Sequence, residues 1–118
     1  NATQGRDSVA QKWFLRAIKS DSTSPVSRRE YGIFLRKQGR FTEALQQYQL
    51  ALRAAPEDAT THYNLAILYD LYLGEKSKAV EHFMAYQSFT SEEDRQVKGW
   101  VVDLKRQQAT SNDLGDQE

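Results

Sequence analysis

The chain repeats itself at intervals of 34 and 35 residues, and this period constrains its fold more than any other feature. Alanine recurs at Ala10, Ala44 and Ala79, and an aromatic residue follows each of these alanines four positions later. Such a period is typical of solenoids, in which one supersecondary unit cannot bury its apolar face alone and stacks on similar units. The sequence therefore predicts an array of similar units.

Each unit is predicted to contain two helices joined by a tight turn. In the middle unit, Ser24 suits the N-cap position, Pro25 suits the first helical position, and Gly39 breaks the helix. Apolar residues then recur at helical spacing over residues 41–55, and Pro56 ends the second helix. Helix, turn, helix and loop, repeated every 34 residues, indicate an α-solenoid.

Small residues at fixed positions indicate where helices approach one another. Ala44 and Ala51 flank Tyr48 on one helix face, so the alanines admit a neighbouring backbone and the tyrosine fills a notch on the neighbouring helix. The longer interval contains one extra residue, which the matching positions place between Tyr69 and Gly74. We expect this residue to lengthen a helix end or a turn and to spare both packed faces.

These positions resemble the tetratricopeptide repeat, whose pattern is W-x2-L-G-x2-Y, then A-x3-F, a further alanine and a proline. The middle unit matches it at Tyr31, Gly32, Leu35, Gly39, Ala44, Tyr48, Ala51 and Pro56. The pattern is not complete: Arg28 in the middle unit and His62 in the next replace the leading tryptophan, and Tyr86 replaces the last alanine of that next unit. Ser22 and Ser91 stand where the closing proline is expected. Over roughly residues 1–108, the resemblance implies an all-α solenoid of antiparallel helix pairs, with about six helices in a right-handed superhelix.

The repeat divides the chain into five segments. They are a partial repeat at 1–24, full repeats at 25–58 and 59–93, a closing helix at 94–108 and a disordered tail at 109–118. In the partial repeat, Gly5 is the expected turn and the first helix is missing, so we expect further repeats before Asn1. Thr90 and Glu93 have capping-box spacing for the closing helix.

A solenoid helix without its mate exposes an apolar face. Trp13, Phe14 and Ile18 are therefore expected to be partly uncovered at the N-terminal edge. Two explanations remain open at this stage. The edge is either a surface that further repeats cover in a longer protein, or the place where a second copy of the chain binds to form a homodimer.

Composition gives no indication of catalysis. Basic and acidic residues number 16 each, and this neutrality argues against a nucleic-acid-binding protein. The chain has no cysteine and no apolar run of membrane-spanning length, which argues against thiolate metal sites and direct membrane insertion. His62 and His82 fall in different helices without the spacing of metal ligands. We therefore predict neither an enzyme, nor a metal site, nor a cofactor.

In tetratricopeptide proteins the first helix of each unit lines the concave face, and the resemblance transfers that role to matching positions here. The implied peptide-binding groove contains Arg29, Ile33, Arg36, Tyr63, Asn64, Ile67, Asp70, Arg95, Lys98, Val102 and Lys105. Three aliphatic side chains, of Ile33, Ile67 and Val102, occupy the same position in successive units and would form a row with basic residues at its ends. A carboxylate clamp is matched only in part, since Ile33 and Gly99 replace two of its polar residues.

The leading functional prediction is a non-catalytic scaffold that binds a protein or peptide on the concave face. An acidic or C-terminal segment with an apolar anchor would suit the groove. The alternative is a structural module that dimerises through the edge of Trp13, Phe14 and Ile18. The general style resembles bacterial scaffold proteins of this family, including those of envelope and pilus assembly, and this favours the bacterial periplasm or envelope over the cytoplasm.

Overall fold

Every regular element of the described chain is helical. The computed structural model describes the backbone of residues 2–116 and the side chains of residues 5–110. The elements are α1 (Ala2–Ser20), α2 (Pro25–Lys37), α3 (Phe41–Ala54), α4 (Ala59–Ile67), a π-helical turn (Leu68–Leu73), α5 (Lys76–Phe89) and α6 (Arg95–Asp116). The predicted all-α fold of about six helices is confirmed. Over residues 2–116, no helix has the length and apolar character that crossing a membrane requires.

The helices form two compact units, Asn1–Pro56 with α1 to α3 and Glu57–Glu118 with α4 to α6. Each unit buries the residues that the repeat places on its inner faces. In the first unit these are Tyr31, Leu35, Ala44, Tyr48 and Ala51. In the second unit they include Leu65, Ala66, Leu68, Ala79, Phe83, Val97 and Leu104. The two alanine positions of the repeat that lie in α3 are completely inaccessible, as close helix packing requires.

The close approach predicted from the alanines is centred on Gly32 and Tyr48. Tyr48 is fully buried on α3, and its ring lies against the backbone of α2 at Gly32. A Cβ atom at Gly32 would lie 2.6 Å from Cε1 of Tyr48, which is closer than side-chain carbons approach each other in proteins. The tyrosine therefore fills a notch on the neighbouring helix, as predicted, and only glycine leaves that notch open.

The extra residue of the 35-residue interval lies in the π-helical turn. A π-helix bonds each N–H to the carbonyl five residues earlier, so its turn holds one residue more than an α-helical turn. The turn closes at Gly74, whose φ of 66° allows its N–H to donate to the carbonyl of Tyr69. The predicted location is confirmed, but the residue widens the helix instead of lengthening its end. The widened turn exposes Leu71 and Tyr72.

Two predictions about helix starts have different outcomes. Ser24 caps α2 as predicted, since its hydroxyl oxygen accepts a hydrogen bond from the N–H of Ser27 at 3.3 Å. The capping box of Thr90 and Glu93 is wrong. Asp94 occupies the N-cap position of α6, and its Oδ1 accepts from the N–H of Val97 at 3.1 Å. Thr90 instead donates its hydroxyl hydrogen to the carbonyl of Gln87 in the last turn of α5.

Two other predictions underestimated the helices at the ends of the chain. Gly5 lies inside α1 and not in a turn. An isolated glycine destabilises a helix by only about 1 kcal/mol relative to alanine, and the other residues of α1 keep the segment helical. The tail predicted to be disordered at 109–118 is helical through Asp116. Extending an existing helix forms one hydrogen bond for each residue fixed, so a polar sequence without proline continues α6. Residues 117 and 118 lie outside the described chain.

The contact at Gly32 predicts a matched pair of glycine substitutions. Gly32→Ala forces a methyl group into the ring of Tyr48, so we expect the free energy of unfolding to fall by about 1–3 kcal/mol. Gly99→Ala is the control, because no atom lies within 4 Å of a Cβ at Gly99 and alanine favours the helix by about 1 kcal/mol. Urea unfolding followed by circular dichroism measures both. Equal stability changes in the two variants would refute the importance of the contact.

Candidate functional site

The predicted groove residues lie on α2, on α4 with the π-helical turn, and on α6. Three of them, Arg29, Ile33 and Arg36, belong to the first unit, and the other eight belong to the second. On α6, Arg95, Lys98, Val102 and Lys105 follow one another at helical spacing and form one stripe, which we call the α6 stripe. All four side chains are exposed, and Val102 retains 49% of its accessible surface.

The first unit presents Arg29, Ile33 and Arg36 as partly exposed side chains on α2. The guanidinium of Arg36 also lies near the buried hydroxyl of Tyr48. Burial raises the pKa of Tyr48, and the charge of Arg36 partly opposes that rise. Arg36 therefore supports the packing of α2 on α3 in addition to any role at the surface.

An aromatic cluster connects all three helices of the second unit. The Tyr63 ring on α4 lies 5.2 Å from the Tyr86 ring on α5 and 6.4 Å from the Trp100 ring on α6, measured between centroids. Phe83, fully buried on α5, lies 5.6 Å from Trp100. Tyr63 and Trp100 are partly exposed, so the cluster is both core and surface. Of these aromatic residues, only Tyr63 was among the predicted groove residues.

Tyr86 and Asp94 connect this cluster to the start of α6. The Tyr86 hydroxyl donates to Oδ2 of Asp94 at 2.9 Å, while Oδ1 of Asp94 caps the helix. The cap hydrogen bond from Val97, followed by the bond from Tyr86, lowers the pKa of Asp94, and the same carboxylate raises the pKa of Tyr86. The tyrosine that replaces the last alanine of the repeat pattern thus fixes the loop before α6.

Several polar groove residues already have partners within the second unit. The Asn64 side-chain amide donates to the carbonyl of Thr60 at 2.9 Å. Asp70 forms an ion pair of 2.6 Å with Lys76, and Lys98 forms one of 2.9 Å with Glu93, which raises the pKa of Lys98. Among the described side chains, Arg95 and Lys105 have no such ion pair. They are the cations of the α6 stripe that can meet an acidic ligand without losing a partner.

The three residues of the predicted edge have different environments on α1. Trp13 is 65% exposed, and the guanidinium of Arg16 lies 5.7 Å from its ring centroid. The Phe14 ring packs on α2, 5.6 Å from Tyr31 and 5.2 Å from Phe34. Ile18 is only partly exposed. The open surface is therefore centred on Trp13, whereas Phe14 joins α1 to the core of the first unit.

The two histidines meet, although their spacing in the sequence gave no sign of it. Nδ1 of His62 on α4 and Nδ1 of His82 on α5 lie 3.0 Å apart, and the rings are inclined by 25°. At this distance one Nδ1 donates its hydrogen to the other, and the accepting ring carries its own hydrogen on Nε2. The rings of Tyr69 and Phe89 pack on the pair, and His62 is buried. The spacing of the two histidines along the chain could not predict this contact, because it depends on how α4 packs against α5.

The pair is not part of a larger cluster of metal-binding groups. Among the described side chains, no three His, Asp or Glu residues converge as metal ligands would. Burial, followed by the nearby His62, lowers the pKa of His82, and Glu81 partly opposes this shift. Burial and the neighbouring His62 therefore favour the neutral form of the His82 ring, whose pKa they lower.

Comparisons with known proteins agree with the repeat and the fold. A sequence model described as a tetratricopeptide repeat matches residues 34–70, which confirms the predicted repeat over that part of the chain. No curated protein sequence matches the chain significantly. Among solved structures, the type III secretion translocator chaperone SycD of Yersinia enterocolitica is similar with a TM-score of 0.77 and 15% identity, covering 92% of this chain and 78% of that one.

Two further structures contain a bound peptide or chaperone-binding region. SycD in complex with a peptide of the translocator YopD has a TM-score of 0.77 and 15% identity, covering 91% of this chain and 86% of that one. PcrH in complex with the chaperone-binding region of PopD has a TM-score of 0.76 and 16% identity, covering 91% of this chain and 84% of that one. At this level of identity the similarity concerns the fold. The preference for the periplasm or envelope is wrong, because the type III secretion chaperones that share this fold are cytoplasmic in bacteria.

The histidine pair predicts how stability depends on pH. In the unfolded chain the pKa of His82 returns to its ordinary value of about 6.5, so the unfolded state binds more protons than the folded state below that pH. Stability is therefore complete above about pH 6.5 and decreases as the pH falls below it. We expect the urea midpoint to be lower at pH 5.5 than at pH 7.5.

Two variants separate this effect from general acid destabilisation. His82→Gln removes the titrating ring and should reduce the difference between the two midpoints. Glu81→Gln removes the carboxylate that opposes the shift and should enlarge the difference. A midpoint difference that is the same in the wild type and in both variants would show that other groups control the pH dependence.

Proposed function

We propose that the protein is a non-catalytic interaction scaffold whose α6 stripe and Tyr63–Trp100 surface bind an extended segment of a partner protein. The observation that carries the proposal is the α6 stripe, where exposed Val102 lies between two cations, Arg95 and Lys105, that have no ion pair among the described side chains. An apolar anchor and acidic groups in one peptide complement this pattern. Solved chaperones of the same fold that hold translocator segments support peptide binding as the class of activity.

The occupant that we propose is an acidic or C-terminal segment with an aliphatic anchor. Its anchor would contact Val102, and its carboxylates would pair with Arg95 and Lys105. Within the second unit, Ile67 at the end of α4 would extend the aliphatic contact that Val102 offers. The partly exposed Tyr63 and Trp100 rings provide further apolar contact at low entropic cost, since aromatic side chains have few rotatable bonds.

Tryptophan fluorescence can test peptide binding at this surface. The chain has two tryptophans, so Trp13→Phe leaves Trp100 as the sole emitter, on the same helix as the α6 stripe. The probe is a twelve-residue peptide with a leucine between aspartates and a free C-terminal carboxylate. We expect saturable binding that Arg95→Glu with Lys105→Glu weakens by about tenfold or more, because each reversal replaces attraction with repulsion.

Gln107→Glu is the control, since Gln107 is exposed on α6 and lies on the side of the helix opposite the α6 stripe. It should change the affinity by less than about twofold, because a charge off the binding surface contributes little once salt screens it. A C-terminally amidated probe tests whether the terminal carboxylate matters. Absence of binding by acidic probes, or equal weakening by both charge changes, would reject the proposal for this surface.

Self-association through α1 is the second candidate function, and the exposure of Val9 and Trp13 favours it. The two side chains are 54% and 65% exposed and lie four residues apart on one face of α1. A second copy of the same helix would cover this apolar surface. Such a dimer would leave the α6 stripe available, so the two functions are compatible.

Light scattering at several protein concentrations can test self-association. If α1 forms the interface, Trp13→Asp should convert a dimer to a monomer, because it introduces a charge into the buried contact. Leu15→Asp is the control, since Leu15 is 47% exposed and lies on a different face of α1. A wild-type mass that stays monomeric at every concentration would exclude the dimer, and equal effects of both variants would indicate general disruption of α1.

A further inference from the structure

An open cleft with apolar side chains at its floor lies in the second unit, between α5 and α6. It encloses about 440 Å³ and is lined by Met84, Gln87, Thr90, Ser91, Glu92, Glu93, Lys98 and Val101. Its size falls in the range of roughly 300–1,000 Å³ that is common for ligand sites. Met84 is 49% exposed and Val101 is partly exposed, so the two apolar side chains form an accessible floor. No residue of α4 or of the Tyr63–Trp100 surface lines this cleft, and Lys98 is the one residue of the α6 stripe that does.

The rim of the cleft is negatively charged. Glu92 and Glu93 are both exposed there, and Lys98 neutralises only Glu93, through an ion pair of 2.9 Å. Among the described residues, Glu92 has no comparable cation. The rim therefore carries one uncompensated carboxylate beside an apolar floor.

The ends of the helices add to this charge pattern. α5 ends next to the cleft, and its last turn contains no basic residue to offset the negative end of the helix dipole. The positive end of α6 lies nearby, but the Asp94 carboxylate accepts a hydrogen bond from Val97 there and compensates it. The surroundings of the cleft consequently favour a cation over an anion, in contrast to the two unpaired cations of the α6 stripe.

We infer that this cleft, hereafter the Met84 cleft, is a second docking site that binds a protein segment with an aliphatic side chain next to lysine or arginine. The aliphatic side chain would contact Met84 and Val101, and the basic residue would pair with Glu92. Methionine suits such a site because its flexible, polarisable side chain adapts to different apolar partners. The scaffold would then bind segments of opposite charge at two surfaces.

The sole methionine of the chain provides a direct probe of the Met84 cleft. Labelling with [methyl-¹³C]methionine gives a single methyl signal, that of Met84. The first titrant is an N-acetylated, C-amidated octapeptide with sequence Ser-Gly-Leu-Gly-Lys-Lys-Gly-Ser. The second has glutamates in place of the two lysines. We expect the lysine peptide to shift the signal saturably and the glutamate peptide to bind at least fivefold more weakly.

Two variants assign the effect to the proposed contacts. Glu92→Lys, at an exposed position, should weaken the lysine peptide at least fivefold and strengthen the glutamate peptide. Lys105→Glu, in the α6 stripe, should leave the Met84 shift by the lysine peptide unchanged, so this result does not depend on the proposed function.

Three results of the peptide titrations would overturn the inference. They are no shift with the lysine peptide, equal shifts with both peptides, or a lysine-peptide affinity that Glu92→Lys does not change. A Met84 signal that moves with protein concentration alone would also overturn it, because a second copy of the chain would then occupy the cleft.

Discussion

The contact between the Tyr48 ring and the backbone of Gly32 is the interaction on which the first full repeat, residues 25–58, depends. A ring that rests on a glycine brings two helices closer than two ordinary side chains would permit. The alanines on either side of Tyr48 extend that approach along α3 without adding bulk. Because the period of the chain repeats small residues around an aromatic one, a single steric rule explains both the repeat and the helix pairs that it encodes.

Two charged side chains of the predicted site already form ion pairs within the fold. Asp70 is held by Lys76 at the π-helical turn, and Lys98 is held by Glu93 at the start of α6. A ligand that uses either group must replace an existing interaction, so the gain from contacting it is small. Binding energy at the proposed surface would therefore come mainly from apolar and aromatic contacts, while the unpaired cations select the charge of the partner.

Period and helix signals in the sequence were sufficient to predict the fold, the helix pairs and the notch filled by Tyr48. They were insufficient wherever the outcome depended on how one helix is rotated against another. The hydrogen bond between His62 and His82 and the contact of Tyr63 with Trp100 both join residues whose spacing along the chain carries no signal. The start of α6 was also missed, because the capping box predicted at Thr90 left Asp94 out of account, and the Asp94 carboxylate caps the helix four residues later.

The π-helical turn has a consequence for how such a chain can change in length. An added residue in an ordinary helix rotates everything after it by about 100° and moves a packed face towards solvent. Here the widened turn takes up that rotation, so the core residues on both sides, from Leu68 and Tyr69 to Ala79, remain buried. A repeat with such a turn can therefore differ in length by one residue while the faces before and after the turn stay packed within the unit.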